Sequence, residues 1–153
     1  MTTVTERLQQ LRIELPEVAA PVAAYVPAIR TGNQVWTSGQ LPFVDGQLAA
    51  TGKVGEDVTE EEASRLARAA ALNGLAAIDA LVGIDKVTRI LKIVGYVASA
   101  PGFSAQPAVV NGASNLMGEV FGEAGEHARS AVGVAELPLG APVEVELIVE
   151  VAD

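Results

Sequence analysis

Arg129 is a lone cation at the head of an apolar, strand-like run, Ser130-Ala131-Val132. Fourteen positions further on, the sequence reads Val143-Glu144-Val145-Glu146, a strict alternation of apolar and acidic side chains. Charges on apolar strands cost free energy to hold there, so they need a partner or a ligand. Arginine presents a planar fork that binds a carboxylate through two parallel hydrogen bonds. A glutamate beside such a site can orient or deprotonate a water. Both residues also have plain readings: Arg129 as the ion-pair partner of a sheet glutamate, and Glu144 as a solvated strand residue. Ser38-Gly39, at the end of a strand-like run, offers a hydroxyl and a backbone N–H, or simply a turn. Asn111 lies within a helical stretch, where a polar-face role is equally open.

Other chemistries are poorly represented. The chain has no cysteine, so thiol nucleophiles, disulfides and cysteine metal sites are absent. Its one histidine, His127, argues against a histidine metal site, and no metal or cofactor is expected. Nothing in the sequence sets His127 beside an activated serine; the expectation is that it shapes the loop before Arg129. Gly52-Lys53-Val54-Gly55 lacks the ending of a phosphate loop and reads as a turn. The net charge of -9 weighs against nucleic-acid binding, which needs clustered Lys and Arg. The first residues are charged where a signal peptide would be apolar, and no run is long enough for a membrane span. A cytoplasmic protein is the expectation.

These residues need a scaffold, and 153 residues, half of them apolar, suit one domain over 1–153. Residues 1–20 read as an N-terminal extension. It contains a short helix, Thr5 to Leu11, with Thr5 as N-cap and Pro16 as stop. Pro21 to Pro27 reads as loop or edge strand. Gln34 to Ser38 reads as a strand after the turn signal Gly32-Asn33. Asp45-Gly46 marks a hairpin. Thr59 and Glu62 form a capping box for a helix whose stripe is Leu66, Ala67, Ala70, Gly74, Ala77, Ile78 and Leu81, ending at Gly83. A long strand spans Val87 to Val97. A second helix begins near Gln106 or Pro107, carries Val110, Ala113, Leu116, Met117, Val120 and Phe121, and ends at the following glycines.

The order ββ(β)-α-β-α-β-β predicts an α+β fold with one sheet and both helices on one face. Along the last strand, Val143, Val145, Leu147, Val149 and Val151 face the helices. Glu144, Glu146, Ile148 and Glu150 make a mixed opposite face, suited to contact between subunits. If the last two strands form a simple hairpin about Gly140, Glu144 pairs near Ala135. Arg129 then lies roughly 20 Å away at ~3.3 Å per residue. On that geometry the two residues share a small ligand only across an oligomer interface.

Taken together, Arg129-Ser130-Ala131-Val132, Leu137-Pro138 and Val143-Glu144-Val145-Glu146 resemble the signature of the Rid (reactive intermediate deaminase, or YjgF) family. Thr37-Ser38-Gly39-Gln40-Leu41-Pro42 resembles that family's strand-end motif, and Tyr25 stands where it has an aromatic. The resemblance spans about Tyr25 to Val151. It implies a chorismate-mutase-like mixed sheet with two helices on one face, assembled as a homotrimer with clefts between subunits. It implies hydrolysis of enamine and imine acids, such as 2-aminoacrylate, to 2-keto acids and ammonia, with no cofactor. Arg129 would hold the substrate carboxylate and Glu144 would orient the water. Tyr25, Ser38, Gly39 and Asn111 would line the cleft. The chain departs from the pattern at Ala131, where many members have cysteine. It also departs in the longer connection between Val97 and Pro107, and in the run Asn111-Gly112-Ala113-Ser114-Asn115-Leu116, which suggests a distinct branch. The alternative function is a non-catalytic trimer that binds a small carboxylate as a sensor or regulator. Ribonuclease activity, attributed to some relatives, is opposed by the acidic balance.

Overall fold

The structure is a computed structural model describing residues 2–18, 20–21 and 23–153. A five-stranded mixed sheet runs in the order β1 (Ala28–Thr31), β2 (Gln34–Thr37), β7 (Val143–Val151), β5 (Val87–Ala98), β6 (Ala128–Val134). β5 and β6 are parallel and all other neighbours are antiparallel. β3 (Phe43–Val44) and β4 (Gln47–Leu48) form a separate hairpin about Asp45-Gly46, both with positive φ as such a turn requires. Helices α2 (Glu60–Val82) and α3 (Gln106–Phe121) pack on one face of the large sheet. The valines and leucine of β7 at 143, 145, 147, 149 and 151 are buried beneath them.

The supposed hairpin of the last two strands does not exist. β6 lies beside β5, and β7 lies on β5's other side. The link between them spans 135–142 and is stiffened by Pro138 and Pro142, so it lacks the short, glycine-led turn of a hairpin. It carries the chain across the end of β5 instead. Because β5 and β6 are parallel, they need a crossover element, and α3 supplies it.

Two smaller expectations, on the first helix and on Leu81, are corrected, and one strand is added. A third helix, α1 (Val4–Gln10), is capped by Thr3, not Thr5: Thr3 and Glu6 bond reciprocally. Glu6 lies three residues past Thr3, whereas Thr5 has Leu8 in that place; Thr5 instead binds the Asp85 carboxylate through its N–H and hydroxyl, both at 2.8 Å. The segment before Gly32 is a strand, β1, which pairs with β2 through the Gly32-Asn33 turn. Leu81, assigned to the buried stripe of α2, is exposed, because the last turn of that helix runs past the sheet. At Thr59 the cap is made by its side chain accepting from Glu62 N–H at 3.1 Å.

The two helices touch closely at Gly112, where a β-carbon would collide with the backbone carbonyl of Ser64. That approach sets the position of α3 over the sheet.

Candidate active site

Arg129 sits in β6 opposite Ile93 of β5, on the helix-covered side of the sheet. Its guanidinium reaches α3, where Asn111 and Ser114 lie three residues apart on one helix face. Nη1 donates to Asn111 Oδ1 at 2.7 Å and to Ser114 Oγ at 3.2 Å. Both protons of Nη1 are thereby used. The Nε–Nη2 edge has no hydrogen-bond partner among the described residues, and no carboxylate forms an ion pair with Arg129 there. The sheet-glutamate reading of Arg129 is not met. What stands at this position is a cation held by two neutral groups, with the edge that takes a carboxylate side-on left open.

His127 bonds the loop before Arg129 and also stands beside Ser114. Its Nε2 is 2.8 Å from Ser114 Oγ, and its Nδ1 is 2.6 Å from the Gly125 carbonyl oxygen. The contact arises from the turn of α3 into β6, which the hairpin picture did not contain.

Glu144 lies on the opposite face of the sheet from Arg129. Its neighbours in β7, Val143 and Val145, point into the core, so Glu144 points away from it. Its carboxylate rests against Gly39, where a β-carbon would fall on it. Burial pushes the Glu144 carboxyl above its ordinary range, and the nearby Glu146 carboxylate adds to the shift. Glu146 accepts a hydrogen bond from the Tyr96 hydroxyl at 3.0 Å. Burial, that bond, and the charges of Glu146 and Glu144 raise the Tyr96 pKa in turn.

A cavity of about 980 Å³ opens beside Glu144, with Tyr25, Gly39, Leu41, Phe43 and Leu139 in its walls. The stretch from Gly39 to Phe43 is fixed by Asn73, a buried residue of α2 whose amide donates to the carbonyls of Leu41 and Phe43 at 3.0 and 3.1 Å. Ser38 is outside the walls. Its hydroxyl donates to the Val26 carbonyl at 2.6 Å and its N–H to that of Pro27 at 2.8 Å, which anchors the segment carrying Tyr25.

One chain therefore brings together Tyr25, Gly39 and Glu144, and separately Arg129 and Asn111, but not the two groups. Arg129 and Glu144 lie two strands apart and three positions apart along β5, at Ile93 and Tyr96. That is about 10 Å in each direction, with the sheet between their side chains. Three residues that matter here escaped the sequence reading. Asn73 had a visible signal, being polar within the apolar stripe that contains Ala70 and Ala77. Ser114 also had one, its spacing of three from Asn111. Tyr96 had none that sets it beside Glu146, because the pairing of β5 with β7 decides it.

No cluster of three or more His, Asp or Glu side chains fit to hold a metal occurs among the described residues. No helix among them is long and apolar enough to cross a membrane.

The model of the YjgF/chorismate mutase-like family, whose description also carries a provisional endoribonuclease label, matches residues 5–151. The chain is 46% identical to Protein TCP17 of Trypanosoma cruzi over 149 residues, covering 96% of this chain and 93% of that one. It is 30% identical to a 2-iminobutanoate/2-iminopropanoate deaminase of Dermatophagoides farinae over 137 residues, covering 90% and 93%. A solved protein of Shewanella oneidensis, provisionally called an endoribonuclease, superposes with TM-score 0.93 at 34% identity, covering 98% of this chain and all of that one.

Proposed function

The chain belongs to the YjgF/chorismate mutase-like family, and from that premise we propose that it hydrolyses reactive 2-enamine and 2-imine acids, such as 2-aminoacrylate, to 2-keto acids and ammonia. The observation that carries this reading is the state of Arg129: fastened through Nη1, with its Nε–Nη2 edge open. A 2-imino acid always presents a carboxylate that fits this edge. The deaminase relative from Dermatophagoides farinae, named for two small 2-imino acids, supports it.

In the reaction, water attacks the imine carbon while the Glu144 carboxylate takes its proton. Returned to nitrogen, that proton gives the neutral carbinolamine; its hydroxyl proton then passes through Glu144 to the amino group as ammonia leaves, and the C–O bond becomes the keto carbonyl. An imine carbon is already electrophilic, so placement of the water accounts for most of the catalysis. The raised pKa of Glu144 favours a group that both takes and returns a proton.

The active unit in this reading is a homotrimer with clefts between subunits. Arg129 of one subunit meets Glu144 of a neighbour, because the sheet separates the two within a single chain.

The test couples the purified protein to a pyridoxal-phosphate serine or threonine dehydratase and follows keto-acid release. Acceleration is expected, with a loss of about 100-fold in Arg129→Ala, the scale of removing a bidentate charged contact. Binding of 2-oxobutanoate without acceleration would replace this reading with that of a carboxylate sensor.

A further inference from the structure

We propose that Ser114 and His127 are positioning residues that set the Arg129 anchor, through a hydrogen-bond relay from the Gly125 carbonyl to the guanidinium. The proposal rests on the reading of Arg129 as a carboxylate anchor and adds the device that orients it.

With the ring neutral, the direction of every bond in the relay follows from its chemistry. The Gly125 carbonyl can only accept, so His127 Nδ1 carries the proton at that 2.6 Å contact. A neutral ring with Nδ1 protonated presents a bare lone pair at Nε2. The Ser114 hydroxyl, 2.8 Å away, donates to it. With its proton so committed, Ser114 Oγ turns its lone pairs to Arg129 Nη1 at 3.2 Å. Asn111 Oδ1 takes the other Nη1 proton at 2.7 Å. The guanidinium plane is then fixed at one nitrogen by two acceptors, and only the Nε–Nη2 edge remains for a ligand.

The far end of the relay is equally constrained. Gly125 is buried against α3, where a β-carbon would collide with the Met117 carbonyl, so the turn holds its own carbonyl in one place. Arg89 of β5 and Glu126 line a small hollow with His127. Neither replaces the serine as partner of Nε2 in the hydrogen-bond pattern.

The experiment compares Ser114→Ala, Ser114→Thr, His127→Ala and Arg129→Ala, using 2-oxobutanoate binding by calorimetry and deamination kinetics. Ser114→Ala and His127→Ala are expected to raise both the Kd and the KM roughly tenfold, with kcat within about twofold, as loss of binding common to ground and transition states does. Ser114→Thr restores the hydroxyl and should recover binding. Wild-type binding in both alanine variants, with binding lost in Arg129→Ala, would overturn the relay and leave the anchor intact. Wild-type binding in Arg129→Ala would overturn the anchor itself.

Should a variant fail to fold, the native protein still decides. It has one histidine, so its ring nitrogen-15 signals need no assignment. They should show Nδ1 protonated and Nε2 bare, and should shift on saturation with 2-oxobutanoate. The opposite tautomer, or ring signals that ignore the ligand, would sink the proposal.

Discussion

A guanidinium fork selects for shape as well as charge, and Arg129 has been stripped to one fork. Arg129→Lys keeps the cation but loses the planar pair of donors. It should recover less than a tenth of wild-type deamination in the coupled assay. Glu144 lends itself to a different test, because both causes of its shift penalise the charged form. A carboxyl whose pKa is raised on folding favours the folded state while it is protonated. That contribution is whole below the ordinary glutamate value of 4.5, and disappears as pH rises through the raised one. Glu144→Gln should therefore be at least as stable as wild type in urea at pH 7, and should lose part of the wild type's decline in stability from pH 4.5 upward. Its deamination should fall by about 100-fold, the scale of a lost general base. A variant destabilised at neutral pH would mean that the carboxylate is held by favourable contacts instead. Both residues stood out in the sequence, since a cation and a carboxylate lay on apolar strands. The direction of each side chain was not, because neighbours in space decide it.

At the level of elements, the crossover β5–α3–β6 does most to build the surroundings of Arg129. It places Asn111 and Ser114 over Arg129, and its closing turn brings His127 to the serine. The seat of α3 depends on Gly112, whose missing side chain lets the helix approach the Ser64 carbonyl. Gly112→Ala should destabilise the protein by about 1–3 kcal/mol, the range for forced overpacking, despite alanine's better helix propensity. Chemical denaturation measures this, and a stabilised variant would show that α3 shifts without strain. The helices themselves were readable from Thr59, Gly83 and the apolar stripes, because caps and periodicity are local. The pairing of β6 was not. Whether two successive strands pair directly or flank a third depends on which edges the remaining strands occupy, and no local signal in 128–151 reports that.

For the whole molecule, the sheet face turned away from the helices is the feature that calls for company. Trp36 is 46% exposed there, and Ile29 and Val132 are 60% and 43% exposed. Trp36 is the only tryptophan. If this face joins subunits, its fluorescence should move to shorter wavelength as concentration drives assembly, in step with a trimer in sedimentation. Trp36→Glu should give a monomer with native circular dichroism and no deaminase activity. A fully active monomer would refute an inter-subunit site. The parts were legible in the chain alone: two long helices, a sheet with one buried face, an isolated arginine and an alternating acidic strand. Caps, glycines and periodicity act within a few residues, so they can be read from the chain. The folded chain alone places β5 between β6 and β7, with Arg129 and Glu144 on opposite faces of the sheet. It also sets His127 against Ser114. Each of those depends on backbone pairing and packing between segments far apart in sequence, where the free energy belongs to the assembled sheet and not to any one segment.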